Sequence, residues 1–409
     1  MATLAVGSGL ARVIGFISIP ILTRIYTPED FGVLAVFVAL VAILAPILTM
    51  RYVLALPLPR QDGMAMNLMA LSAGLMLVIG TLLTIGLAFF AEPLLVLMSM
   101  EVLAPWWWLI VLGLFGAGIY EMLSLWATRR RAYKVIARTQ IVQSASGAVV
   151  KIGFGAFGAG PIGLLVGQVV AQSGGIGTFI RQFLAEWRSN WRHVRRSRMK
   201  RVAGRYRGFP IYRLPSQFLL MLSMHTPVFF IAALYGSHAT GQYGLAVTVL
   251  TVPVALFAHT TAKAFYAEAA RIGRRNAQQI WHLTLGVLKR LTLLSLPPML
   301  VLLIFGPQLF VIVFGENWEM AGVFGSILAI YLFTQFLQTP SSYVFYIFER
   351  QQLLLYLSAQ RLLIVFSVFL AAIILNWAAV TSVLVYAVFL SLHYGLTILL
   401  AIKTIKNDK

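Results

Sequence analysis

The chain has 409 residues, 60% of them hydrophobic and only 11% charged, where an ordinary globular chain carries roughly 25% charge. Apolar runs long enough to span a bilayer recur from end to end, which excludes a soluble globular domain and predicts an all-α polytopic membrane protein. The net charge of +20 would suit a nucleic-acid binder by size alone, and the absence of cysteine excludes disulfides and thiolate metal sites.

Taken in chain order, twelve transmembrane helices are predicted near 3–22, 31–50, 66–90, 106–126, 136–157, 161–180, 214–234, 243–265, 285–305, 322–348, 353–375 and 378–402. The first run has no basic leader region and continues apolar past Arg12, so it reads as a retained helix and not as a cleaved signal. The spans divide six and six: an N-lobe over 1–180, a basic linker over 181–213 and a C-lobe over 214–409. With the N-terminus inside, Arg24 is the only one of the 32 basic residues in an outside loop. Arg12, Lys151 and Lys263 fall within spans, Arg361 lies in the eleventh, and the others line inside segments. The outside loops instead collect Glu29, Asp30, Glu92, Glu101, Glu316 and Glu319. This charge asymmetry predicts that both termini, Lys409 included, and the linker are cytoplasmic. The run WRSNWRHVRRSRMKRVAGRYR (187–207) then reads as a segment lying on anionic phospholipid, and no nucleic-acid partner is needed to explain it.

Two glycine patterns resemble a dinucleotide fingerprint, at Gly153, Gly155 and Gly158 and again at Gly158, Gly160 and Gly163. Such a motif must follow a strand and open a helix. Here both copies fall at a tight hairpin between spans, so they read as turn glycines. There is no phosphate-binding loop and no catalytic or metal-ligand motif. Catalytic chemistry is thus missing, and no cofactor or metal is implied. The chain's work would be driven by an H+ or Na+ gradient, the membrane potential or consumption of the substrate.

The charges inside spans carry the functional signal, because each costs at least ~2.5–3.5 kcal/mol at mid-bilayer. Arg12 shares a helix face with Ser8, Gly9 and Gly15. In the fifth span Gln140, Ser144, Gly147 and Lys151 form a polar stripe. Glu121 sits beside Ala117, Gly118 and Ser124, and Arg361 lies in the eleventh span. Such stripes must face a bundle interior or a hydrated cavity. A purely structural role remains open for Lys151, which could pair with Glu121, and for Arg361, which could extend to the inner interface. Pro20, Pro46, Pro227, Pro253 and Pro340 permit kinks within spans. The halves also show a faint parallel repeat at a spacing of 212 residues. Asp30-Phe31-Gly32 aligns with Gln242-Tyr243-Gly244, Thr49 with Thr261, Arg51 with Lys263 and Ala55 with Ala267. Transporters built from repeats place their substrate site between the repeats.

The stretches GSGLARVIGFISIPILTRIYTPEDFGVLA (7–35) and RYVLALPLP (51–59) closely resemble the start of bacterial polysaccharide-biosynthesis transporters. These are the O-antigen and lipid-linked oligosaccharide flippases of the multidrug/oligosaccharidyl-lipid/polysaccharide exporter superfamily. The resemblance implies two six-helix lobes around a central cationic cavity, working by alternating access in the bacterial inner membrane. The implied substrate is an undecaprenyl-pyrophosphate-linked saccharide moved from the cytoplasmic to the periplasmic leaflet, with other polysaccharide-assembly membrane proteins as partners. On this reading Arg12, Arg51, Lys263, Lys151 and Arg361 line the cavity. Arg51 and Lys263 would receive the pyrophosphate near the cytoplasmic mouth, and guanidinium suits phosphate geometry particularly well. Glu121 and Asp30 are the candidates for a coupling carboxylate or a charge partner.

Three other readings are weighed against this one. A multidrug cation antiporter on the same fold should concentrate carboxylates inside its spans, where only Glu121 is found. A membrane sugar polymerase or ligase needs a large polar external loop, and the segments 91–105 and 306–321 are short and largely apolar. A non-transporting scaffold would have no use for charges inside its spans.

Overall fold

A backbone passing through hydrocarbon must satisfy its own hydrogen bonds, and helices do so locally. The computed structural model describes residues 2–407, apart from the side chains at 2–5, 253, 255–257, 259, 260, 275 and 351. Pro253 as a kinking side chain and Lys409 thus lie outside the described residues. Every regular element described is helical: α1 Ala2–Ile25, α2 Pro28–Leu48, α3 Asp62–Leu97, α4 Trp107–Arg129, α5 Tyr133–Ala156, α6 Pro161–Ser173, α7 Ile176–Trp191, α8 Arg196–Arg205, α9 Leu214–Ile272, α10 Ala277–Phe314, α11 Glu319–Ser341, α12 Val344–Ile347, α13 Gln351–Ile374 and α14 Ala379–Asn407. Ten stretches among the described residues are long and apolar enough to cross a membrane. One of these, Phe209–Val252, contains two helical segments that meet at Gly236 (φ 77°). α5, with its polar stripe, is helical over the predicted fifth span but is not among the ten. The chain is an all-α polytopic membrane protein whose helices match about twelve predicted spans.

The chain divides into two compact units, Met1–Ser237 and His238–Lys409. In the first, α1 packs along α5, α5 on α6, and α4 against α2, α3 and α6. Small residues allow the close approach, as is usual between membrane helices. Gly7 of α1 lies so near Ala137 of α5 that a Cβ there would collide with it. The next residue, Ser8, donates from Oγ to Gln140 Oε1 at 2.6 Å. α2 opens with Pro28 and a reciprocal capping box, in which Thr27 caps the Asp30 amide and the Asp30 carboxylate caps that of Thr27. It ends at two successive non-glycine residues in left-handed conformation, Met50 (φ 44°) and Arg51 (φ 60°). Each costs about 1–3 kcal/mol, which the surrounding packing must offset. The α5–α6 hairpin turns through Gly158 (φ 70°) and Gly160 (φ 58°), a turn role for two of the five glycines of the fingerprint-like patterns, whereas Gly153 and Gly155 lie within α5 and Gly163 within α6, the last two packed against Tyr26.

The sixth predicted span is bent. α6 ends at Ser173, and the chain passes through Gly175 (φ 83°) into α7, which runs on to Trp191. The stretch 181–213 is accordingly mostly helical and docked. Phe179, Phe183 and Trp187 recur every four residues and are buried, as is Val202 of α8. Trp187 meets Trp126 edge-on at 6.3 Å. Asn67 of α3, fully buried, donates from Nδ2 to the His193 carbonyl at 2.9 Å and accepts from the Arg195 amide at 3.0 Å. The basic side chains Arg192, Arg195, Arg196, Arg198, Lys200, Arg201 and Arg205 remain exposed.

In the second unit, α10 packs along α11, and α14 against α11 and α13. α10 and α11 approach closely where Gly306 faces Gly322, and Ser326 Oγ donates to the Leu302 carbonyl at 2.7 Å. Gln242, fully buried, bridges to the start of α11. Its Nε2 donates to the Asn317 carbonyl at 2.6 Å and its Oε1 accepts from the Ala321 amide at 2.8 Å. This satisfies an amide that a helix start leaves without an intrahelical partner. A further core gathers Phe265, Ile280, Val344, Phe345, Phe348 and Ile405.

Candidate functional site

The predicted charged residues fall into three environments: open, paired and enclosed. Arg12 is open. It is exposed on α1 beside Leu10, Val13 and Phe16, and no side chain packs beside its helical neighbours Gly9 and Gly15. The face of α1 that packs on α5 is instead Gly7, Ser8 and Ala11. The small residues flanking Arg12 thus leave space around it. Lys263 is also exposed, in the middle of a helical stretch that continues to Ile272. Its aligned partner Arg51 sits in a left-handed turn after α2 ends. Of the paired triplets, Phe31 and Tyr243 are both buried, whereas Asp30 caps its own helix and Gln242 bridges to α11.

Arg51 and Glu121 are paired, a juxtaposition that spacing in sequence does not announce. The turn after α2 buries Arg51 and directs its Nη1 to Glu121 Oε1 on α4 at 2.7 Å. The arginine side chain is 7% exposed and the carboxylate 33%. Removing a guanidinium from water costs several kcal/mol unless a charge-assisted bond compensates, and Glu121 provides one. Arg51 Nε and the nearby Thr49 hydroxyl, both buried, have no partner among the described residues. The pair therefore leaves Arg51 with donor capacity to spare beside a carboxylate that is one-third exposed. An anionic oxygen arriving there would compete with Glu121 for it.

Lys151 is not paired with Glu121. Its Nζ donates to Gln168 Oε1 on α6 at 2.8 Å, and its carbonyl accepts from the Tyr26 hydroxyl at 2.6 Å. The stem packs against Gly167, where a Cβ would have no room.

Arg361 is enclosed. Only 9% exposed, it projects from α13 among Tyr243, Tyr331 of α11, and Tyr386 and Tyr394 of α14, all buried. Its guanidinium carbon lies 5.7 Å from the Tyr394 ring centroid. Such a contact contributes ~2 kcal/mol when desolvated, less than the cost of burying the charge. The rings hold one another: Tyr331 meets Tyr386 at 5.7 Å and Tyr394 at 6.5 Å, and His393 meets Tyr394 at 5.4 Å. Tyrosine spacing alone gives no sign of this cage, because its members come from four separate helical segments.

One further charged cluster was not foreseen. Arg129 and Arg130, at the end of α4, grip the two oxygens of Asp62 at 2.8 Å each, and Arg130 also pairs with Glu186 of α7. Arg129 donates in addition to the Pro59 carbonyl. Glu186 and then Asp62, against the opposing effect of burial, hold the Arg130 guanidinium above its ordinary range. The cluster ties the start of α3 and the C-terminal half of α7 to the end of α4. An arginine pair directly after a span was the available signal, but its partners lie 56 or more residues away.

The family described as "Polysaccharide biosynthesis protein" matches residues 21–323. No curated protein matches the chain in sequence. Among solved structures, the lipid II flippase MurJ in an inward closed conformation is similar with a TM-score of 0.74 and 11% identity, covering 98% of this chain and 88% of that one. An inward-facing multidrug resistance MATE family transporter of the MOP superfamily is similar with a TM-score of 0.71 and 17% identity, covering 98% and 95%. A MOP superfamily transporter from Pyrococcus furiosus, described as having a binding pocket of reverse polarity, is similar at 0.56 and 15%, covering 100% and 94%. At these identities the likeness establishes the fold.

Proposed function

Since this chain belongs to the polysaccharide biosynthesis protein family, we propose that it is a transporter of flippase type whose substrate is an undecaprenyl-pyrophosphate-linked saccharide. It carries that lipid from the cytoplasmic to the periplasmic leaflet of the bacterial inner membrane by alternating access. The fold alone does not choose between this and drug export, since multidrug transporters share it. The observation that carries the choice is the sign of the charges inside the spans. Arg12 is open, Arg361 and Lys151 have no carboxylate partner among the described residues, and the acid Glu121 is already engaged by Arg51. A site for organic cations needs the opposite balance, because a buried cation binds where a carboxylate awaits it.

Within the first unit, Arg12 and Arg51 are the residues that would meet the pyrophosphate. Arg12 offers an unencumbered guanidinium, and Arg51 offers one released from Glu121 as the head group replaces the carboxylate. Exposed Lys263 is a further cation of the same kind in the second unit. Lys151 and Arg361, held by Gln168 and by tyrosines, are set apart from this contact. A doubly negative head group moving outward would gain up to ~4–5 kcal/mol at 100 mV if uncompensated, so the membrane potential favours the direction of export.

The experiment is a flipping assay in proteoliposomes with undecaprenyl-pyrophosphoryl saccharide, at matched protein levels. Wild type should move the lipid between leaflets, and Arg12→Ala should slow it at least roughly ten-fold, the loss of one charge-assisted contact. Transport of a cationic dye with no movement of the lipid would overturn the proposal.

A further inference from the structure

The tyrosine cage in the second unit leaves polar groups unused. Three buried polar atoms have no hydrogen-bond partner among the described residues: Arg361 Nε, the Tyr394 hydroxyl and His393 Nδ1. All three side chains are more than nine-tenths buried, at 9%, 3% and 6% exposure. They are also neighbours. The Arg361 guanidinium lies over the Tyr394 ring at 5.7 Å, and the His393 ring is 5.4 Å from the same ring. The ionisable groups that interact with Arg361 are Tyr243, Tyr331, Tyr386, Tyr394 and His393, with no carboxylate among them.

Native interiors rarely leave one buried polar atom without a partner, and three in one cluster around an uncompensated cation ask for a ligand. Each unused group can donate: a guanidinium N–H, a hydroxyl, which also accepts, and, in the tautomer protonated on Nδ1, an imidazole N–H. Groups able to donate around a positive charge, with no carboxylate beside it among the described residues, repel cations and match a negatively charged acceptor. The enclosing walls are aromatic, so that acceptor would have to shed most of its water. Small monovalent anions with modest hydration lose least in doing so, whereas a pyrophosphate carries more oxygens than three donors can satisfy.

We propose that the interior of the second unit holds a binding site for a small inorganic anion of the halide class, formed by Arg361, Tyr394 and His393. The bound anion neutralises Arg361 within the bundle and ties α13 to α14. The site uses none of the residues proposed above to meet the lipid head group, so flipping need not be measured to test it.

The test uses the purified full-length protein in detergent, with thermal unfolding followed by tryptophan fluorescence. Sodium gluconate is replaced stepwise by sodium chloride or sodium bromide at constant ionic strength. Both halides should raise the unfolding temperature saturably in wild type. Tyr394→Phe keeps the ring but loses a donor, and should raise the half-saturating chloride concentration roughly ten-fold. Arg361→Gln should abolish the effect. If that variant does not fold, the wild-type titration and Tyr394→Phe still decide the matter. A parallel arm replaces gluconate by sodium pyrophosphate. No saturable halide effect, an effect unchanged in Tyr394→Phe, or saturation by pyrophosphate in place of halide would each overturn the proposal.

Discussion

Arg51 in the first unit and Arg361 in the second are both buried among apolar helices, yet only Arg51 has a carboxylate, Glu121 at 2.7 Å. Arg361 is surrounded by rings, with the Tyr394 centroid 5.7 Å from its guanidinium. The difference lies in what each can exchange. An ion pair with one partly exposed partner can be opened by a competing anion, because water and the incoming charge share the cost of separation. A caged arginine has, among the described residues, no carboxylate to release, and its environment is set by packing. The first arrangement suits a group that engages and lets go of a substrate, and the second suits a fixed positive charge.

The strongest way to break this comparison is charge reversal. Arg51→Glu sets two carboxylates against each other in a partly buried turn, and should cost about 3 kcal/mol of stability. The swap Arg51→Glu with Glu121→Arg should recover more than half of that. Unfolding temperature and monodispersity in detergent measure both, and a swap as damaged as the single variant would show that the pair does not matter.

A smaller effect separates the two arginines directly. Glu121→Gln leaves Arg51 without its counter-charge and should cost about 2 kcal/mol, reduced from the fully buried value because the carboxylate is a third exposed. Arg361→Met, measured in gluconate, removes a charge that lacks a carboxylate and should cost less than about 1 kcal/mol or even stabilise. Equal losses in the two variants would erase the distinction.

Accessibility sharpens it further. The chain has no cysteine, so introduced thiols report without background. Arg12→Cys should react with a charged, membrane-impermeant maleimide at least roughly ten times faster than Arg361→Cys, because a thiol closed off from water rarely forms thiolate. Comparable rates would mean that the cage is open to water or that Arg12 faces lipid.

The smallest effect extends the contrast between paired and unpaired cations to the docked helices. Arg196 of α8 is exposed and Arg130 is held by Asp62 and Glu186. Arg196→Gln should weaken binding of anionic phospholipid to the protein a few-fold, near the ~1 kcal/mol that one basic residue contributes. Arg130→Gln should leave lipid binding within two-fold, at about 0.4 kcal/mol. Native mass spectrometry of phosphatidylglycerol adducts distinguishes them, and the reverse ranking would count against a lipid-facing α8.

The twelve spans and the helical class were legible in the sequence because the cost of exposing apolar side chains to water, or backbone to lipid, is local and repeats along the chain. The bend at Gly174 and Gly175 and the docking of 181–213 were less so. Basic composition there suggested a lipid-bound segment, while the burial of Phe179, Phe183 and Trp187 depends on a partner surface that α3 and α4 supply.

The sequence by itself determined that this is a polytopic membrane protein of the polysaccharide biosynthesis family with uncommon cations inside its spans. Those properties follow from composition, run length and local motif. Tertiary structure alone decided which cation is open, paired or enclosed. From the sequence Lys151 was the candidate partner for Glu121, and it is the left-handed turn at Met50 and Arg51 that aims Arg51 at that carboxylate instead. The cage around Arg361 draws on residues from 243 to 394, and an electrostatic environment assembled across that distance depends on packing, which no local pattern records.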